Sequence, residues 1–211
     1  MNLKTYRRLL VSLLVAGIAA TTLVAPALGR SVSHSSGTTR VAQVVWGTYD
    51  LETDTGDWGN LAAFEQDGAL MLSYHAQDTV PITCPDGQPG QTGTFSSGFA
   101  EGAQLTIAHN LSSASASGTM IVESGTLNTC EMVWELTGLG TVEVSMQLVA
   151  DGRRASFVDR YTEAIDGWRY NAVNRIAERP ASGSVLLDGT PMPFLDAAIS
   201  VHRWNEHVIG G

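Results

Sequence analysis

Three groups of side chains in this chain could carry chemistry if the backbone brings them together. The first is Asp159, Tyr161, Glu163, Tyr170 and Asn174, which recur at even spacing within two runs of strand character. Carboxylates and an amide inside an otherwise apolar layer are costly unless they are hydrogen-bonded, and such groups orient small ligands in pockets. They would either satisfy one another, Asp159 against Asn174 with Glu163 at the wet end, or line a ligand cavity. The second group is Arg160, Arg169 and Arg175, the core of an arginine patch on the alternate positions of the same runs. Guanidinium groups fit carboxylate and phosphate oxygens bidentately, so this patch would take an acidic partner or an anionic glycan, or else form a solvated face. The third is Asp50, Glu52, Asp54 and Asp57, acids at the spacing of a calcium loop. Calcium wants six to eight oxygens, and the loop lacks the Gly and the distal Glu of an EF-hand, so only a weak calcium site is implied.

Catalytic patterns are poorer. Glu131 and Glu135 would sit about 13 Å apart on one strand face at normal strand rise. Glycosidase carboxylates need about 5–9.5 Å. His202 and His207 fall on opposite strand faces, and no Gly-x-Ser-x-Gly elbow, His-Glu-x-x-His pair or phosphate-cradling loop is present. No catalytic residue is assigned. Trp46, Trp58, Trp134, Trp168 and Trp204 suit a core. They would suit a sugar platform if two or more stood exposed on one sheet.

The elements that must hold these groups read as strands. Asp-Gly occurs five times, at Asp67, Asp86, Asp151, Asp166 and Asp188. Asp-Gly suits the two-residue type I′ hairpin turn. Between these turns lie about a dozen Val-, Thr- and aromatic-rich runs and no amphipathic helix. The fold class is therefore all-β, an antiparallel barrel or sandwich built from hairpins and a meander. Two-residue turns at Asp151-Gly152 and Asp166-Gly167 would place Phe157 beside Met146 on one side and Ile176 on the other. Arg160 would then lie opposite Glu143, Asp159 opposite Asn174, and Glu163 opposite Tyr170. In that register Val142, Met146, Leu148, Phe157, Tyr161, Trp168 and Tyr170 form the core face, and the arginines face water.

The ends and the composition bound the setting. Lys4, Arg7 and Arg8 followed by an apolar run and Ala25-Pro26-Ala27 read as a signal peptide over residues 1–27. Residues 28–40, rich in Ser, Thr and Gly, read as a flexible linker, and 41–211 as a single all-β domain. Cys84 and Cys130 would then share an oxidising compartment and form a disulfide that stabilises the fold by roughly 3–4 kcal/mol. From Val41 to Gly152 there are fourteen acidic residues and no Lys or Arg, and six arginines follow between Arg153 and Arg179. The formal net charge of −9 disfavours nucleic acid and anionic lipid as partners. No membrane span is expected once the signal is removed. No cofactor is implied beyond the weak calcium loop.

The segment Trp134-Glu135-Leu136-Thr137-Gly138-Leu139-Gly140, with Arg175 and Ala181-Ser182-Gly183-Ser184-Val185, resembles a pattern in uncharacterised exported bacterial all-β proteins. The resemblance covers the C-terminal third and implies a secreted β-domain. The function expected is a secreted non-catalytic domain that binds a small molecule, a glycan or an envelope component. The alternative is an extracellular glycan-acting hydrolase using sheet carboxylates.

Overall fold

The computed structural model of the chain describes residues 32–210 apart from 51, 54, 67, 166 and 167. The proposed signal peptide, Asp54, and the turn residues Asp67 and Asp166-Gly167 lie outside the described residues.

Among the described residues there is no helix; eleven strands form one antiparallel sheet. They are β1 (Val32–Asp50), β2 (Thr55–Gln66), β3 (Ala69–Thr83), β4 (Pro89–Glu101), β5 (Gln104–Ile107), β6 (Ser113–Asn128), β7 (Val133–Ala150), β8 (Ala155–Ile165), β9 (Trp168–Leu187), β10 (Thr190–Pro191) and β11 (Asp196–Gly210). Pairing runs β1–β2–β3–β4–β6–β7–β9–β11 and returns to β1, so eight strands close a ring of hydrogen bonds. Closure removes most of the free edges that an open sheet would expose. The all-β antiparallel expectation is met.

Strand alternation sends one set of side chains into the ring. Ala42, Val44, Leu61, Ala63, Leu72, Met120, Met146, Leu148, Val185 and Ile199 form its core. At one end the turn between β5 and β6 folds inward and drops Leu111, 2 % exposed and at positive φ (59°), onto that core. A smaller buried cluster, Val41, Ala62 and Phe64, lies on the opposite face of β1 and β2.

Cys84 and Cys130 are bonded, with Cα atoms 5.2 Å apart and a sequence separation of 46. They tie the β3–β4 turn to the β6–β7 turn, directly over Gly90, where a Cβ would come within 2.6 Å of both sulfurs. Asp188 (φ 49°) and Gly189 (φ 73°) form the two-residue turn that Asp-Gly implies, between Leu187 and Thr190.

Two sequence expectations are corrected. Residues 32–40 are not a linker: they extend β1 and pair with β11 from Val32↔Ile209 to Arg40↔Val201. Ser, Thr and Gly content lowers local propensity, but a facing strand supplies partners for every second backbone group.

The second correction concerns Asp151-Gly152, which is not a hairpin turn. The chain passes straight on, so that β7 and β8 run the same way along one edge of the twenty-residue β9. Ala150 pairs with Ala181 and Ala155 with Glu178, so four residues on one side face two on the other, a bulge of two. Pro180 sits at this point without an N–H to offer the ladder. Asp151 N–H donates instead to its carbonyl (3.1 Å), and the Arg179 guanidinium donates twice to Gly152 O (3.2 and 3.3 Å).

The consequence is that Met146 faces Val185 rather than Phe157, and Glu143 faces Thr119 rather than Arg160. The second hairpin keeps its expected register: Phe157↔Ile176, Asp159↔Asn174, Glu163↔Tyr170 and Ile165↔Trp168.

Candidate functional site

Beyond the mouth of the ring, β8, the first half of β9, the second half of β11 and the start of β1 continue as a four-stranded wing. Following cross-strand partners from the core identifies its two faces. Ala177, Val201 and Arg40 lie at the mouth on the interior side. The next rows on that side contain Arg175, Arg203 and Thr38, then Arg160, Val173 and Asn205, then Thr162, Asn171 and His207. The arginines thus occupy the extension of the core face. The sequence reading placed them on the back of a core-facing meander, and the bulge at residues 151–154 is the reason for the difference.

Arg175 and Arg203 are directly opposite each other. Arg160 is diagonal to Arg175, because it pairs with Val173, and Arg40 is diagonal to Arg203 on the other side, because it pairs with Val201. Four guanidinium side chains therefore follow one oblique line across four adjacent strands, β8, β9, β11 and β1. Directly opposed Cβ atoms are about 5 Å apart and diagonal ones about 7–8 Å. Arg169 shares the face farther out. Only Arg40 has an acidic neighbour among the described residues, Glu65 at 3.7 Å. Arg160, Arg169, Arg175 and Arg203 are exposed.

At the inner end of this line the mouth forms a concavity of about 600 Å³. Arg40, Arg154 and Arg203 reach it from the strands and the bulge, while His109 and Asn110 border it from the β5–β6 turn. Arg40 and Arg203 were missed in the sequence because no Asp-Gly turn fixes the register of β11 against β9 or β1. The alternation Arg203, Asn205, His207 in the last strand was the available signal.

The other face of the wing holds all five residues of the first candidate set. Asp159 is opposite Asn174, which is opposite Trp204; Tyr161 is opposite Ala172, which is opposite Glu206; Glu163 is opposite Tyr170. Sequence reasoning brought these residues together correctly, but they are not an inner layer. Asp159 and Glu163 are exposed, Tyr161 is 48 % and Trp168 38 % exposed, and none of them lines the concavity at the mouth. Tyr161 and Tyr170 meet edge to face at 5.8 Å. Tyr161 Oη donates to Glu163, and this bond raises the tyrosine pKa. Tyr170 is pushed up to about 12, by burial first and then by its hydrogen bond to Glu206. The Asn174 Oδ1 is buried and has no hydrogen-bond partner. Trp204 lies flat over Gly37, where a Cβ would come within 2.6 Å of the indole. Deeper on this face, His202 is 3 % exposed, its Nε2 is 3.1 Å from Ser200 Oγ, and burial pushes its pKa down to about 4.

The acidic loop is the tip of the β1–β2 hairpin, with Asp50 opposite Thr55 and Asp57 opposite Thr48. Asp50 Oδ1 accepts the Glu52 N–H at 2.8 Å, as in an Asx turn. Among the described residues no three His, Cys, Asp or Glu side chains gather as a metal cage. Glu131 lies in the β6–β7 turn and Glu135 on β7, so they do not share a strand face. The segment Trp134 to Gly140 runs along the exposed half of β7, with Trp134 packed at 5.4 Å against Phe95.

No protein-family model matches the chain, and no curated protein matches it.

Proposed function

We propose that this is a non-catalytic, exported binding domain that takes an acidic glycan along the line Arg160–Arg175–Arg203–Arg40. The observation that carries this reading is the direct opposition of Arg175 and Arg203 without an acidic neighbour. Like charges directly across a ladder are destabilising, and a bound anion removes that cost. The steps of about 5–8 Å between successive arginines suit a polymer with one negative group per unit. The concavity beside Arg40 and Arg154 would receive the end of such a chain or a side branch. The disulfide is in keeping with an oxidising, extracytoplasmic setting, as is the resemblance to exported β-proteins.

Binding to polygalacturonate, compared with its neutral methyl ester, tests the reading. The expected result is retention by the acid polymer alone, release at about 0.5 M salt by charge screening, and at least about tenfold weaker binding in Arg175→Gln/Arg203→Gln. Equal affinity for the ester, or no loss in the double variant, would overturn it.

A further inference from the structure

The wing carries opposite chemistry on its two sides. One side is the arginine line. The other presents the carboxylates of Asp159, Glu163 and Glu206 among Tyr161, Tyr170 and Trp204, and has no arginine or lysine on its central rows. Guanidinium groups stack on aromatic rings and bridge to carboxylates, so each side is the chemical complement of the other.

Among the described residues the outer rows of both sides are also open to water, beyond the buried Ile176 and His202. The wing is a single layer in which Tyr161 and Trp168 on one side and Arg160, Arg175 and Arg203 on the other are exposed. An antiparallel sheet normally packs at least one face, at a distance of about 10 Å from the covering layer. Four strands about 4.8 Å apart and about nine residues long give a face of roughly 600 Å². Two such faces together reach about 1,200 Å², the lower bound of a specific interface.

We propose that the wing stacks on a second copy of this chain, the arginine face of one molecule covering the carboxylate and aromatic face of the next. The inference rests on the arginine line being an anion-binding surface and names a protein partner for it. The two faces of each contact differ, so the contact is heterologous and leaves one unused face at each end. Association therefore continues beyond a dimer. An acidic polymer competes for the arginine face and ends the stack.

Two charge-reversal variants at exposed positions test this by sedimentation velocity at low and high salt. Asp159→Lys/Glu163→Lys spoils one face, and Arg160→Glu/Arg175→Glu the other. Wild type is expected to form concentration-dependent oligomers at low salt that dissociate at about 0.5 M salt. Each variant alone is expected to stay monomeric. An equimolar mixture is expected to associate again, because the intact face of each variant meets its complement on the other and the two reversed faces are themselves opposite in charge; this outcome also shows that both variants are folded. A monomeric wild type, or oligomers that persist in either variant, would overturn stacking. In those cases retention of polygalacturonate by wild type and by Asp159→Lys/Glu163→Lys keeps the anion-binding reading, and loss of that retention removes both.

Discussion

Arg175 on β9 stands directly across from Arg203 on β11, on the side of the sheet that is continuous with the hydrophobic core. Two rows deeper the same face carries Ile199 at zero exposure. The transition from apolar core to paired guanidinium groups happens within about 13 Å along one strand at normal strand rise. The ring therefore ends in a basic rim, although the chain as a whole is acidic.

That opposition has a measurable cost in the free protein. Removing one charge, as in Arg203→Gln, is expected to raise unfolding free energy by about 0.2–1 kcal/mol at low ionic strength. The gain should shrink as salt screens the pair. Urea unfolding of wild type and variant at two salt concentrations measures this. The same variant should bind acidic polymer less well, so stability and binding move in opposite directions. A purely structural role for these arginines gives no such opposition.

The disulfide joins two turns across 46 residues and is the one covalent tie at that end of the sheet among the described residues. In the chain-entropy account, closing a loop of this size stabilises the folded state by about 4 kcal/mol. Cys84→Ser/Cys130→Ser is expected to lower the unfolding free energy by about that amount, with the larger part of the change in the unfolded chain. Gly90→Ala should be destabilising through a different cause, since its Cβ would press on both sulfurs at 2.6 Å. Unfolding in the presence and absence of reductant separates the two, because only the bonded protein feels the second change.

Local chemistry made part of this structure readable. Period-2 alternation and Asp-Gly turns were enough for the fold class and for the β8–β9 register, because a short hairpin is defined by its own residues. Asp159, Tyr161, Glu163, Tyr170 and Asn174 accordingly do share one face. The face itself was assigned wrongly at a single point. Asp151-Gly152 has the composition of a turn, but Pro180 on the opposing strand and the Arg179 hydrogen bonds to Gly152 hold it as a bulge in a continuing strand. A two-residue bulge preserves the alternation, so the arginines stay on the core side while Phe157 goes to the other. Nothing within residues 150–155 signals this, since it depends on a partner about 27 residues away. The same holds for Arg40 and Arg203, which meet only through pairing across more than 150 residues of chain.

Gly47 tests the ring closure at the β1–β2 ladder. It has φ of +77°, and a Cβ there would lie 1.9 Å from the Asp57 carbonyl oxygen. Both the left-handed backbone and the contact oppose any side chain. Gly47→Ala is expected to destabilise by more than about 1 kcal/mol. Gly68, also at positive φ (+84°) but with no atom within 4 Å, should cost less on the same change. The difference between the two, read from thermal or denaturant unfolding, isolates the close approach from the backbone conformation.

His202 should give the domain a pH dependence of a defined sign. It is buried beside Ser200, and desolvation lowers its folded-state pKa to about 4. The unfolded chain has the ordinary value of about 6.5 and so takes up the proton first as pH falls. The stabilising contribution of the neutral ring is complete above pH about 6.5, declines between about 6.5 and 4, and changes no further below that. A shift of this size corresponds to about 3 kcal/mol across the window. His202→Gln keeps a group able to hydrogen-bond Ser200 but has nothing to titrate there. Urea unfolding at pH 7 and pH 4.5 should therefore show a smaller loss in the variant than in wild type. Equal losses in both proteins would place the pH sensitivity in other groups and leave His202 with a packing role alone.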